Sequence, residues 1–235
     1  MDMEQLNTEF DEYGFVLLKN RISTETADLM ATRIVEIMSA KPDADRLDQG
    51  MQALLDYDDL FLPLVTDPVV LELARRTLGE PFRLAEVGVR WLKPGAPGQS
   101  LHADVPLHLF PEPLPDVCFL INTIWMLNDF TRSNGATLLM PFSHHTRRRP
   151  RAGATYRHLV AAEAPLGSVV VFKGNLWHAG GANRTRDRHR IGVSVPYFAK
   201  WMDRTAGNWQ TMPRRVYDRL PPLVQSMVAH KVVDD

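Results

Sequence analysis

Apolar residues recur at helical and strand spacings along the first third of the chain. Residues 4–20 read as a short helix followed by a buried strand, Gly14-Phe15-Val16-Leu17-Leu18. Met30, Ile34, Ile37 and Met38 fall at i, i+4, i+7 and i+8, which predicts one apolar stripe on a helix over about 24–40, with Ser23 as its N-cap. Asp67-Pro68, an apolar-periodic run to Leu78 and then Gly79 supply cap, first-turn proline and stop for another helix. Residues 41–62 turn polar and acidic, then aromatic, and predict no element.

From about residue 82 the period shortens. β-prone runs at 83–92, 117–128, 136–140, 168–173 and 190–198 alternate with Gly, Pro and Asn punctuation. Short strands with long intervening loops predict an antiparallel sandwich or barrel and argue against βαβ units. Leu92-Lys-Pro-Gly-Ala-Pro-Gly98 reads as a loop, and Asn134-Gly135 as a turn between the second and third runs. After Phe198, short helices are predicted over 213–219 and 222–230. The fold class is mainly β with flanking helices, α+β.

Composition narrows the partners. The chain has 235 residues, 45% hydrophobic and 23% charged, enough for a substantial core. A formal net charge of −1 gives no basis for nucleic acid or an acidic membrane surface as partner. No apolar run approaches membrane-spanning length, and the acidic start, Met-Asp-Met-Glu-Gln, lacks the apolar segment of a signal peptide. A lone cysteine, Cys118, forbids an intramolecular disulfide and points to a reducing compartment, the cytoplasm. It sits in the run Val117-Cys-Phe-Leu-Ile121, as a buried thiol would.

The candidate chemistry lies in two distant segments. In Gln99-Ser-Leu-His102-Ala-Asp104 the two polar side chains are two residues apart, so on extended chain they project to the same side. A second histidine follows the strand Gly167–Phe172, in Leu176-Trp177-His178-Ala179-Gly180-Gly181. Two histidines and a carboxylate can hold one face of an octahedral metal and leave three positions open, the arrangement suited to non-haem Fe(II) and O₂. His-x-Asp alone is weak, because the pattern arises by chance. Ala179–Asn183 reads as a tight turn, and Arg184–Arg190 leads into a last strand at Ile191–Val195. An arginine at the head of that strand could take the distal carboxylate of a dicarboxylic 2-oxoacid bidentately.

These residues resemble the phytanoyl-CoA dioxygenase family. The likeness rests on His102-Ala-Asp104, the block Trp125–Gly135, Pro141-Phe-Ser143-His144, and His178-Ala-Gly-Gly-Ala-Asn183 followed by Arg190; even Tyr13–Asn20 resembles the family's first strand. It spans roughly residues 6–200. It implies a double-stranded β-helix, or jelly roll, of cupin-like form over about 82–200, with the helices of 1–81 packed on one sheet and 201–235 as an extension, all one oxygenase domain. It implies Fe(II), 2-oxoglutarate and O₂ as cofactor and co-substrates. His102, Asp104 and His178 would be the catalytic metal ligands, Arg190 the 2-oxoglutarate anchor, and Asn122 a further contact to it.

Two departures leave alternatives open. The loop from His178 to Arg190 is one residue longer than the family's common form, so Arg188 competes as anchor, although strand alternation favours Arg190. Gly180 stands where several members carry a hydroxyl residue. The retained Asp104 points to hydroxylation or a related oxidation, since halogenating relatives replace that carboxylate by a small residue. His108, His144 and His145 read as non-ligands, and Arg147–Arg151 as a solvated loop or a phosphate site. Trp91, Trp125 and Trp177 read as core, or as walls of an apolar cavity. Trp201 and Trp209 could cover the pocket mouth or form a homodimer contact. The rivals are a cupin-type metalloenzyme needing no 2-oxoacid and a non-catalytic jelly-roll binding module.

Overall fold

The computed structural model describes residues 2–104, 110–202 and 211–234. α1 (Met3–Tyr13) starts where the Asp2 carboxylate accepts from the Glu4 amide, and leads through Gly14 into β1 (Phe15–Leu18). α2 (Thr24–Ser39) is capped as the pattern predicts, Ser23 Oγ accepting from the Thr26 amide. Met30, Ile34 and Met38 on its inner stripe are fully buried, each contributing about 1.5–3 kcal/mol relative to exposure.

The segment without a predicted element holds β2 (Asp48–Met51), α3 (Leu54–Tyr57) and a 3₁₀ helix at Asp59–Leu64. The sequence Asp-Gln-Gly-Met of β2 lacks the β-branched and aromatic residues that mark strands. Tertiary contacts make it one: it pairs along its length with a neighbouring strand, and the buried Gln49 amide donates to the Asp43 carbonyl at 3.0 Å. α4 (Pro68–Leu78) follows, with Asp67 accepting from the Val69 and Val70 amides.

The remaining strands form two antiparallel sheets. They are β3 (Phe82–Leu84), β4 (Gly88–Leu92), β5 (Leu120–Met126), β6 (Thr137–Leu139), β7 (Val160–Ala161), β8 (Val169–Lys173), β9 (His178–Gly180), β10 (Arg190–Ser194) and β11 (Tyr197–Ala199). The larger sheet runs β1-β8-β5-β10-β4-β2, with β11 pairing both β5 and β3; the smaller runs β7-β6-β9. The run 83–92 is therefore two strands, and so is 190–198. Asn134-Gly135 does mark a turn, the Thr131 amide donating to Asn134 Oδ1, but it carries the chain from one sheet to the other and does not close a hairpin. Ala179 and Gly180, read as the start of a turn, are paired with β6.

Strand alternation gives the larger sheet two unlike faces. Val169, Val171, Ile121, Trp125, Ile191 and Val193 point to one side and share a core cluster with residues of α1, α2 and α4. Met126, Val170 and Phe172 point to the other, toward Leu139 of the smaller sheet. At the C-terminus come β12 (Met212–Pro213), α5 (Arg214–Tyr217), α6 (Pro222–Val228) and β13 (Val232–Val233), and Val224, Met227 and Val228 join the helical side of the core. This is the jelly-roll arrangement with helices on one sheet that the sequence predicts. No helix among the described residues is long and apolar enough to cross a membrane.

Candidate active site

The two distant segments meet backbone to backbone. The His102 amide donates to the His178 carbonyl at 2.9 Å and the His178 amide returns to the His102 carbonyl at 2.8 Å, an isolated antiparallel bridge at the end of β9. Their rings lie 4.4 Å apart, centroid to centroid. The Asp104 amide donates to the Gly174 carbonyl at 2.8 Å, which sets its carboxylate beside the two rings. His178 Nε2 is 3.4 Å from Asp104 Oδ1, and the ligand atoms of the three side chains all lie within 4.8 Å of one another.

Each imidazole donates its Nδ1–H to a carbonyl two residues back, His102 to Ser100 and His178 to Leu176, both at 2.9 Å. This fixes the tautomer and leaves the Nε2 lone pair to the centre. Asp104 Oδ2 accepts from Asn122 Nδ2 at 3.1 Å; Asn122 Oδ1 in turn accepts from Ser194 Oγ at 3.0 Å. Burial pushes the Asp104 carboxyl up, but the His178 charge, hydrogen bonds from His178 and Asn122, and the charge of His102 together hold it below its ordinary value. Burial and the neighbouring His178 lower His102; for His178, burial is outweighed by Asp104 and its value rises. Once His178 gives up its Nε2 proton, as a metal ligand must, two ring nitrogens and one carboxylate on one side of a point, each ring braced by a backbone carbonyl, fit a divalent metal with open positions.

These groups line a cavity of about 1120 Å³ that also contains Arg190. Arg190 heads β10 and is 4% exposed, so the alternation that sends Ile191 to the helices sends it inward. Its Nη2 donates to Thr137 Oγ1 of the smaller sheet at 3.1 Å, its Cζ lies 4.3 Å from the centre of the Phe130 ring, and its buried Nε has no partner. It makes no ion pair among the described residues, and burial drives its pKa down to about 9. Arg188 is exposed and contributes its backbone to a loop, its carbonyl accepting from Asn183 Nδ2 at 2.7 Å and Thr185 Oγ1 at 2.9 Å. Of the two arginines, Arg190 lines the cavity and Arg188 does not.

At Gly180 a side chain would have to displace that of Gln99. A Cβ there would meet Gln99 Oε1 at 2.8 Å, the atom that accepts the Gly180 amide at 2.7 Å. Asn122, read as a co-substrate contact, lies in the cavity wall with its amide nitrogen on Asp104. His144 is buried away from the centre, its Nε2 donating to the Asp11 carbonyl at 2.9 Å, and His145 stacks on it. His108 and Trp209 lie outside the described residues. Arg147 and Arg149 brace a neighbouring loop through the Leu114 carbonyl and the Glu112 carboxylate and do not line the cavity. Burial pushes the Cys118 thiol up to about 11, as suits an inert thiol. Trp201 is exposed, with its ring edge-on to Phe119.

Of the two readings of the tryptophans, the core one holds for Trp91 and Trp125. Trp91 and Trp125 are core on the helical side, Trp177 donates to the Arg148 carbonyl, and none walls the cavity. Polar and charged side chains do, among them Asp48, Asp56, Glu86, Arg90 and Arg215. Sequence reading missed these because β2, α3 and the turn before β4 carry no recognisable motif.

A sequence profile of the phytanoyl-CoA dioxygenase (PhyH) family matches residues 10–191. A dioxygenase of Aspergillus fumigatus, af480, is 28% identical over 97% of this chain and 77% of its own length. The Fe(II)/2-oxoglutarate-dependent dioxygenase nvfF of Aspergillus novofumigatus is 25% identical over 97% and 82%. Among solved structures, the non-haem α-ketoglutarate-dependent epimerase SnoN of nogalamycin biosynthesis superposes with a TM-score of 0.67 at 20% identity, covering 83% of this chain and 82% of its own. HygX of Streptomyces hygroscopicus, with nickel and 2-oxoglutarate bound, gives 0.65 at 16% over 86% and 88%. Motif order, fold and profile converge, and the chain belongs to the phytanoyl-CoA dioxygenase family.

Proposed function

We propose that the chain is an Fe(II)/2-oxoglutarate-dependent oxygenase that hydroxylates a C–H bond of a small organic substrate of specialised metabolism. It acts as one domain in the cytoplasm, and Fe(II) and 2-oxoglutarate are its cofactor and co-substrate. The observation that carries the reading is Arg190: a buried guanidinium without a counter-ion among the described residues, in the same cavity as the His102, Asp104 and His178 cluster. Isolated buried charge is costly unless a ligand completes it, and a dicarboxylate with a keto acid at its other end would do so.

In this reading His102, Asp104 and His178 hold the iron, which supplies the oxidising chemistry when it, 2-oxoglutarate and O₂ are bound. Ser100 and Leu176 orient the imidazoles through their carbonyls. Asn122, itself set by Ser194, fixes which carboxylate oxygen of Asp104 faces the centre. Arg190 and Thr137 receive the distal carboxylate, and Phe130 shields that end from water. The family membership and the relatives' names support the co-substrate; hydroxylation as the outcome rests on the retained Asp104.

The test is anaerobic addition of Fe(II) and then 2-oxoglutarate, read by the visible charge-transfer band of the chelate, followed by O₂ uptake and succinate release. The expected result is a band in the wild type and none in His102→Ala or Asp104→Ala. O₂ uptake independent of 2-oxoglutarate would favour a cupin-type metalloenzyme, and failure to bind Fe(II) a non-catalytic module.

A further inference from the structure

Glu86 is a cavity residue that the iron and 2-oxoglutarate do not use. It occupies the turn between β3 and β4, lines the cavity, and lies close enough to Asp104 for their charges to repel. The turn is braced on every side. The Ala85 amide donates to the Pro196 carbonyl at 3.0 Å, the Ala85 carbonyl accepts from buried Lys231 Nζ at 2.6 Å, and the Val87 carbonyl accepts from the Leu54 amide at 3.0 Å. The side chain reaches over Gly88, where a Cβ would sit in ordinary van der Waals contact with Glu86 Oε1 at 3.5 Å.

Apart from Arg190, the other charges around the cavity face partners. Arg90 donates Nε to Asp48 Oδ1 at 2.7 Å and its Nη2 to Oδ2. Lys41 Nζ donates to Tyr57 Oη at 3.3 Å. Asp56 faces the charges of Lys231, Arg215 and Arg219. Glu86 makes no ion pair among the described residues; the Lys231 charge faces it, as it faces Asp56, and its side-chain hydrogen bond is from the Gln52 amide. Desolvating a carboxylate on a rigid turn costs stability, and one hydrogen bond and a charge beyond ion-pair distance offset only part of that cost. A preorganised acceptor beside a metal centre is the arrangement that orients a ligand.

We propose that Glu86 is the substrate-positioning group of this cavity, its carboxylate accepting a hydrogen bond from an ammonium or hydroxyl group of a small polar substrate. The proposal deepens the oxygenase reading and rests on it. The polar wall and the displaced tryptophans agree with such a substrate and not with a long acyl chain.

Three matched fragments test it on the anoxic enzyme loaded with Fe(II) and 2-oxoglutarate: cyclohexylammonium, cyclohexanol and cyclohexanecarboxylate, with binding read by ligand-observed NMR. A charge-assisted bond predicts that the wild type binds the ammonium about 10–100-fold tighter than the carboxylate, with the alcohol between. The isosteric Glu86→Gln variant should lose most of that preference, and Glu86→Asp should keep its direction. Carboxylate binding equal to or tighter than ammonium, binding of none of the three, or an order that Glu86→Gln leaves unchanged overturns the proposal. Absence of the charge-transfer band in the wild type would instead sink the oxygenase reading, and the two failures are separately visible.

Discussion

Replacing Arg190 by methionine separates a structural arginine from a ligand-binding one. A fall in pKa from 12.5 to about 9 corresponds to about 5 kcal/mol of unfavourable environment for the charged form. At neutral pH the guanidinium is charged in both the folded and the unfolded chain, so that penalty is fully present there. Against it stand one hydrogen bond to Thr137, worth about 1 kcal/mol, and the contact with Phe130, worth about 0.5–2 kcal/mol. The balance is unfavourable. Arg190→Met, of similar length and without charge, should therefore leave the ligand-free protein as stable as the wild type or more stable by about 1–2 kcal/mol.

The same change should cost binding. Truncating one partner of a buried, hydrogen-bonded charge pair costs about 2–5 kcal/mol, or roughly 30- to several thousand-fold in the dissociation constant of 2-oxoglutarate. Urea denaturation of the metal-free protein gives the first quantity, and anaerobic titration of the chelate band gives the second. Arg188→Met, at an exposed position, should move neither. The reasoning fails if Arg190→Met destabilises the ligand-free fold by more than about 2 kcal/mol while 2-oxoglutarate binds as before, since the arginine would then be a structural strut.

Asn122→Val removes the donor to Asp104 Oδ2 and should weaken metal affinity about 10–100-fold without unfolding the protein, as read by competition with a chelator. Lys231 is buried with its pKa lowered from 10.5 to about 8, facing Glu86 and Asp56. Between pH 8 and 10.5 the unfolded chain holds the proton that the folded one has lost, so this group makes stability rise with pH by up to about 3 kcal/mol. Lys231→Met should lack that rise when urea midpoints are compared across the window. Gly180→Ser should cost about 1 kcal/mol or more by displacing Gln99, and should cost less in a Gln99→Ala background; equal costs in the two backgrounds would show that Gln99 is not the obstacle.

What the sequence made legible follows from how local the causes are. Ser23 and Asp67 cap their own helices, and Met30, Ile34 and Met38 form a stripe whatever they pack against, so these elements could be read directly. The metal cluster was legible because spacing places His102 and Asp104 together and a family motif supplies His178. β2 was not legible, because its four residues become a strand only by lying beside β4. Nor was the character of the cavity: Glu86 and Asp48 enter it through turns and edge pairing, and Trp91 and Trp125 leave it because strand parity sends them to the helices. Asn134-Gly135 announced a turn correctly, but not that its flanking strands belong to different sheets.

The register of β10 decides the chemistry, because moving it by one residue would exchange its faces. In the observed register Arg190 and Ser194 face the cavity while Ile191 and Val193 join the helical core. A slip would bring Ile191 to the cavity wall in place of Arg190 and drive the guanidinium into that core. Contacts at the head of the strand oppose this. The Ile191 amide donates to Asn128 Oδ1 at 2.7 Å, the Leu127 amide donates to the Ile191 carbonyl at 3.1 Å, and Arg190 sits opposite Leu92 of β4. In the preceding loop Asn183 and Thr185 close a small ring of hydrogen bonds onto the Arg188 carbonyl before the strand begins. The side to which Arg190 points is thus set by the parity of the strand it heads and by the contacts that hold that strand in register.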